Sequence, residues 1–122
     1  MSETILTLAV SLSAAGETER SLLELLCSAA EQEWSVRLCD GMTAERCREA
    51  YVCACAFTAA AGLLEARCSG SPAVSFTAGD VSVHGAAAGE AAAAARSLRQ
   101  QAERLMVPFT REDSFVFRWV RA

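Results

Sequence analysis

The chain has 122 residues and a net charge of −4; 52% of its residues are hydrophobic but only 7% are aromatic. This length predicts a single domain, residues 1–122, with a modest core, and the apolar excess in small and aliphatic residues favours closely packed helices. A mildly acidic balance argues against nucleic-acid binding as the main role, because binding to phosphates requires a basic surface.

All 11 basic residues are arginine. A GC-rich genome is one explanation for this bias. Selection for the planar, bidentate pairing that arginine makes with carboxylates is the other. The first residues carry Glu3 and no basic segment, so we expect no secretory signal. The uncharged run 50–64 is too short for a bilayer crossing, so we expect no membrane span. The chain should then lie in a reducing compartment, with its six cysteines as thiols rather than disulfides.

The first elements in chain order are helical. Residues 4–12 carry both a helical polar stripe and a strand-like alternation, and we favour a short helix. A clear amphipathic helix is predicted over 17–37, because its apolar residues share one face. That inner face consists of Leu23, Leu26, Cys27, Ala30 and Trp34.

A second helix is predicted from Thr43, which is a suitable N-cap, to about residue 67. From residue 50 onward it is apolar around its whole circumference, so it must be covered on all sides. Two alternatives meet that requirement: the helix lies at the centre of the bundle, or it forms part of a subunit interface.

Residues 74–83 are predicted to be extended or to form a small hairpin around Gly79 and Asp80. An Ala-rich last helix then begins between Gly85 and Gly89 and ends near residue 107, because Pro108 disfavours helical geometry before it. Residues 114–120 alternate as a strand does. The predicted fold is mainly α, a three- to four-helix bundle with minor β structure near 74–83 and 114–120.

The sequence contains no strong metal-binding or catalytic motif. On a helix, Cys53 and Cys55 point about 200° apart and cannot chelate one ion together, and we expect neither a metal nor a cofactor. The stretch 53–64 resembles the cysteine-bearing helix of the ribosomal-protein-processing cysteine proteases, with His84 as a candidate base. The early Gly-His-Ala motif of that family is missing, so a small Cys–His enzyme is the alternative rather than the main hypothesis, and no catalytic residue is assigned.

The second half of the chain resembles the small head–tail connector proteins of tailed bacteriophages and prophages, also called head-completion or adaptor proteins. An Ala-rich helix over 45–64 is followed by Ser-x-x-x-Gly-Asp-x-Ser-Val at 75–83. A helix with Leu-Arg-x-x-Ala-Glu-x-Leu-Met-x-Pro-Phe comes next at 98–109, and Asp-Ser-Phe-Val-Phe at 113–117 is last. The resemblance extends from residue 22 to the C-terminus, and residues 1–16 lie outside it.

The resemblance implies a structural role without catalysis. Such proteins form a homo-oligomeric ring of about twelve copies beneath the portal protein, extend the DNA channel and dock a tail or head-closure protein. It implies no specific nucleic-acid binding, no membrane, and a location in the bacterial cytoplasm and then the virion. A generic helical interaction module is a third hypothesis.

A ring subunit needs two unlike flanks, since a head-to-tail interface joins different patches. The aromatic tail either packs on the subunit's own core or docks on a neighbour or the portal. The candidate interface residues are those of the apolar second helix, the 74–83 segment, the last helix and the tail: Tyr51, Phe57, Phe76, Val81, Val83, Arg96, Arg99, Phe115, Phe117 and Trp119.

Overall fold

A computed structural model describes residues 1–69 and 78–111, with the backbone alone for Ser69 and for residues 78–88. In this part of the chain, four α-helices pack against one another. The mainly α bundle predicted from the sequence is therefore confirmed. The helices are α1 (Ser2–Ser13), α2 (Arg20–Arg37), α3 (Arg48–Ser69) and α4 (Ala78–Met106), with 3₁₀ turns at Glu17–Glu19 and Val107–Phe109.

Helix α3 is the centre of the bundle. It packs against α1, α2 and α4, and α1 also packs against α2. Most of its apolar circumference thus faces other helices of the same chain, as a central helix requires. The alternative of a subunit interface stays a hypothesis. The buried residues of α3 are mostly small, and they are Tyr51, Val52, Ala54, Cys55, Ala56, Thr58, Ala59, Ala60, Ala61 and Leu63.

Small residues let α2 and α3 approach closely. A Cβ atom added to Gly62 would lie 3.1 Å from the Cδ2 atom of Leu26, so the Leu26 side chain would have to shift by a few tenths of an ångström. The inner face of α2 predicted from its periodicity is confirmed, since Leu23, Ala30 and Trp34 are all at most 2% exposed.

Helix α1 confirms the helical interpretation of residues 4–12. The residue that follows its last turn, Ala14, adopts a left-handed conformation with φ 52° and ψ 45°. An L-residue with a side chain pays roughly 1–2 kcal/mol for this conformation, whereas glycine adopts it readily.

We therefore expect Ala14→Gly to raise the free energy of unfolding by about 0.5–1 kcal/mol, the relief of strain exceeding the entropy that glycine adds to the unfolded chain. Urea unfolding measures the change. Ala93→Gly, on the exposed side of α4, is the matched control and should lower stability by about 1 kcal/mol. If both glycines lower it equally, the left-handed conformation of Ala14 carries no strain.

Helix α3 begins five residues later than predicted. Thr43 accepts a hydrogen bond through its Oγ1 atom from the backbone N–H of Arg46, at 3.2 Å. It thus caps a separate turn, and its carbonyl accepts the N–H of Cys47 at 3.3 Å. Gly41, with φ 82°, supplies the reversal that precedes this turn.

The extended segment predicted at 74–83 is not confirmed. Residues 78–83, including Val81 and Val83, form the first turns of α4, and residues 70–77 lie outside the described part of the chain. Two valines are too short an alternation to outweigh the helix propensity of the alanines that follow. The strand predicted at 114–120 also lies outside the described residues.

By length and composition, Arg48–Cys68 is long and apolar enough to cross a membrane, with a mean hydropathy of 1.3. The prediction of no membrane span, made from the shorter uncharged run 50–64, stays a prediction. In the bundle, 56% of the most apolar window is buried. Its burial at the centre of four helices accounts for its apolar character, because a core helix needs the same composition.

Candidate assembly surface

The structure describes the side chains of four of the ten candidate interface residues. Tyr51 is only 2% exposed, Phe57 is half-buried, Arg96 is exposed and Arg99 is half-buried. Val81 and Val83 lie in the part of α4 for which the backbone alone is described. Outside the described residues lie Phe76, Phe115, Phe117 and Trp119.

Tyr51 is a core residue rather than a surface one. Its hydroxyl donates to the carbonyl of Glu31 at 2.9 Å and lies 2.9 Å from the hydroxyl of Ser35. Burial raises the pKa of Tyr51 to about 12. Tyr51 therefore ties α3 to α2 and contributes nothing to an exposed surface.

Arg99 holds α4 against α3. Its Nε and Nη2 atoms donate to the two carboxylate oxygens of Glu65, at 3.0 and 2.6 Å. These hydrogen bonds lower the pKa of Glu65 and raise the pKa of Arg99. Arg99 therefore joins two helices of one chain.

Two further bidentate pairs between an arginine and a carboxylate join other elements of the fold. Arg37 of α2 donates to both carboxylate oxygens of Glu103 of α4 at 2.7 Å. Arg67 of α3 contacts Glu19 at 2.7 and 2.6 Å and also donates to the carbonyl of Ser13 at the end of α1, at 2.9 Å. The planar arginine head is thus used for carboxylate pairing between helices, as the sequence bias allows.

The Glu19–Arg67 pair predicts a loss of stability in acid. Hydrogen bonds from Arg67, and then one from the Gly16 N–H, lower the pKa of Glu19 from 4.5 to about 2. A carboxyl group whose pKa is lower in the folded state stabilises the fold above its unfolded pKa, and this contribution disappears as the pH falls toward the folded pKa. Stability should therefore decrease between about pH 5 and pH 2.

We expect Glu19→Gln to flatten this decrease without removing it, because pairing also lowers the pKa values of Glu65 and Glu103. Urea midpoints at a series of pH values measure the effect. Parallel curves for the two proteins would show that Glu19 has the same pKa folded and unfolded. Glu45→Gln, at an exposed position, is the control.

An apolar stripe on the outer side of α2 was missed by the sequence interpretation. Leu22, Leu25 and Val36 are 41%, 69% and 69% exposed, and Ala29 is exposed between them. Their spacing of three, four and seven residues puts all four on one side of a helix, opposite its buried face. We call these four residues the α2 outer seam. Single exposed leucines are ordinary, but an aligned set is typical of a contact surface.

The end of the described chain returns to one end of this seam. An antiparallel bridge pairs Leu38 with Thr110, and the N–H of Cys39 donates to the carbonyl of Phe109 at 3.0 Å. Arg111 then donates through its backbone to the carbonyl of Arg37 at 2.9 Å. Its guanidinium donates to the carbonyl of Val36 at 2.6 Å. The last described residues thus lie beside Val36 and run opposite to the end of α2.

A groove of about 210 Å³ lies between α1 and α2. Its only thiol belongs to Cys27, whose pKa burial raises to about 11. A thiol nucleophile needs the opposite shift, so the groove does not favour thiol chemistry. Its lining residues are Ser2, Glu3, Leu6, Glu24, Cys27, Ser28 and Glu31.

The other cysteines divide into two groups. Cys47 and Cys55 are buried, and burial raises the pKa of both, to about 12 for Cys55. Cys39, Cys53 and Cys68 are half-buried. Among the side chains that the structure describes, those of residues 1–68 and 89–111, no three His, Cys, Asp or Glu are grouped so as to hold a metal ion.

We expect iodoacetamide to modify the half-buried cysteines before the buried ones at neutral pH, because the reagent attacks exposed thiolates. Peptide mass spectrometry at several labelling times ranks the six sites, and labelling in urea supplies the unfolded reference. A rapid reaction at Cys27 or Cys55 in the folded protein would contradict their burial. One outstandingly fast site would revive the Cys–His alternative, whose candidate base, His84, lies where only the backbone is described.

Comparison of the chain with protein-family models, curated proteins and solved structures found no match. The resemblance to head–tail connectors therefore stays a prediction from the sequence.

Proposed function

We propose that this chain is a structural subunit of a head–tail connector, which assembles into a ring beneath the portal protein of a tailed phage or prophage. The observation that carries the proposal is the α2 outer seam, an aligned apolar surface on a bundle whose core is already filled by other residues. The ring offers each subunit a neighbour to cover that surface.

The energetics of the seam suit association. Burying one leucine or valine side chain is worth about 1.5–3 kcal/mol. Leu22, Leu25 and Val36 together therefore supply a substantial share of the free energy of a protein–protein contact. In a ring, the seam of one subunit meets a different patch of the next, because a head-to-tail interface is not self-complementary.

Charge also supports a channel-forming role. A channel wall should let DNA slide, and a chain with net charge −4 offers little attraction to phosphates. Three of the arginines, Arg37, Arg67 and Arg99, are engaged with carboxylates of the same chain. This engagement reduces the basic surface that would retain DNA.

Pull-down on an immobilised portal protein from the same genome tests the proposal. We expect the full chain to be retained by the assembled portal and not by the tail-tube protein from that genome, which serves as the specificity control. Failure of the portal to retain the chain, at concentrations where both proteins are folded, would overturn the proposal.

A further inference from the structure

We propose that the free chain pairs with a second copy of itself through the α2 outer seam, with the two α2 helices antiparallel. The occupant of the seam before assembly is then the same seam of another molecule. The pairing is a property of the free chain, and it rests on the proposed function only for its consequence for assembly.

Among the residues that the structure describes, only α2 carries an aligned apolar surface that matches the seam. The other exposed large hydrophobic residues there are Leu12, Leu105 and Val107. Leu12 and Leu105 stand singly on α1 and α4, and Val107 lies in the turn after α4. The matching stripe that a second copy offers is therefore its own seam, and contact between identical patches is the two-fold arrangement commonest in homo-oligomers.

The spacing of the seam is symmetrical about its middle residue. Leu22 and Val36 each lie seven residues from Ala29, which is about 10 Å along the helix axis. When two such helices run antiparallel with Ala29 at the two-fold axis, Leu22 of each copy meets Val36 of the other. Leu25 then enters the space between Ala29 and Val36 of the second copy, as a knob enters a hole.

A small residue lies where the two helices approach most closely. Ala29 is exposed and has only a methyl group as its side chain, so the helix axes approach to about 8 Å, the near end of the usual range. The nearest like charges are those of Glu33, an exposed residue at the edge of the seam. The two copies of Glu33 are about 12 Å apart along the helix direction, which exceeds the Debye length of about 8 Å at physiological salt.

Charges at the ends of α2 favour the antiparallel direction. Glu17 is exposed in the turn before α2, and Arg111 is exposed beside the C-terminal end, where its guanidinium contacts the carbonyl of Val36. Neither side chain forms an ion pair within the described residues. In the antiparallel pair, Glu17 of each copy lies level with Arg111 of the other, and the exposed Arg20 and Asp40 are likewise opposite in sign. A parallel pair brings like charges together instead.

The consequence concerns assembly. Pairing and ring formation use the same surface, so they exclude each other. A two-fold contact is closed, and free subunits with covered seams do not polymerise. The portal then competes with the second copy for each subunit, and a subunit must leave its dimer before its seam meets a neighbour in the ring.

Photo-cross-linking of the full chain without a portal tests the pairing. Leu25→p-benzoylphenylalanine places a photoreactive ring in the seam, and trypsin releases the whole seam in one peptide, residues 21–37. The variant is mixed with isotope-labelled original chain, so that cross-links between copies are recognised by mass. We expect the main cross-link between copies to join peptide 21–37 to peptide 21–37, and light scattering to show a dimer of 12.9 kDa chains. A strict monomer at millimolar concentration, a species larger than a dimer, or a main cross-link to any other peptide would overturn the proposal.

Charge variants of the full chain test the direction of the pair. Glu17→Arg and Arg111→Glu each bring like charges together and should weaken the dimer at least about threefold, whereas the chain with both changes should pair within about twofold of the original. Single variants that pair as well as the original, or a combined variant that pairs no better than the single ones, would contradict the antiparallel arrangement.

Seam variants separate the apolar contact from added charge. Leu25→Glu with Val36→Glu should weaken the dimer at least about tenfold. Ala93→Glu with Gln100→Glu adds the same charge to the exposed side of α4 and should leave the dimer unchanged. Equal weakening in the two would assign the effect to charge and overturn the pairing. Because no portal is present, a monomeric chain leaves the connector proposal standing, and a failed portal pull-down leaves the pairing standing.

Discussion

Trp34→Ala should lower the free energy of unfolding by about 3–5 kcal/mol, the usual cost of removing a large buried aromatic side chain. Trp34 is 1% exposed. Its Nε1–H donates to the hydroxyl of Thr58 on α3 at 3.0 Å. The guanidinium carbon of Arg37 lies 4.3 Å from the ring centroid, and the same arginine pairs with Glu103 of α4. Trp34 therefore links α2 to α3 directly, and to α4 only through Arg37.

Chemical denaturation measures this loss of unfolding free energy. Two milder variants separate the contribution of the ring's volume from that of its hydrogen bond. Trp34→Phe keeps most of the apolar volume and removes the N–H donor, so we expect a loss of about 1–2 kcal/mol. Thr58→Val leaves the indole N–H buried without its acceptor and should cost a similar amount. A loss below about 1 kcal/mol for Trp34→Ala would mean that the ring does not fill the core, since core truncations cost several times more.

Leu25→Glu with Val36→Glu should reduce the affinity of the chain for the assembled portal at least about a hundredfold. Each substitution removes an apolar contact worth about 1.5–3 kcal/mol, and a tenfold change in affinity corresponds to about 1.4 kcal/mol. Both residues are 69% exposed, so the stability of the subunit should change by less than about 0.5 kcal/mol per substitution. Titration of labelled chain onto portal rings measures the affinity.

The matched control adds the same charge to another helix. Ala93→Glu with Gln100→Glu lies on the outer side of α4, away from the seam, and should leave portal affinity within about twofold of the original, as for a remote surface change. If both double variants lose affinity equally, added negative charge is the cause and the seam is not a specific contact. If neither loses affinity, the subunits meet through another surface.

Periodicity predicted the helices that bury one clear face. Leu23, Cys27, Ala30 and Trp34 recur at helical spacing, and all four are buried. The prediction failed where alternation was too short to be informative, as at Val81 and Val83, which belong to α4. Long periodic segments specify helix type well, whereas a few β-branched residues beside an Ala-rich run do not.

The sequence pattern does not single out the α2 outer seam, because α2 carries apolar residues on two sides. The buried face alone predicts an amphipathic helix, whose remaining surface is then expected to be polar. The seven-residue repeat of Leu22, Ala29 and Val36, with Leu25 between, is the signal that could have revealed it. Tyr51 was misassigned for the converse reason: an all-round apolar helix does not indicate which of its residues meet the core.

Pairing between helices could not be predicted from spacing. Glu103 and Arg99 are four residues apart and suggest a local surface pair. The fold instead pairs Arg99 with Glu65 and Glu103 with Arg37. Such partners depend on the relative position of whole helices, which sequence separation does not encode.

The most direct test of the central claim is the mass of the complex formed with the portal. Size-exclusion chromatography with light scattering, on the full chain with and without the portal ring from the same genome, gives the number of bound subunits. We expect an added mass equal to about one subunit per portal protomer, as a ring of matching symmetry requires. Elution of the portal at its own mass, with the chain in a separate peak, would contradict the claim.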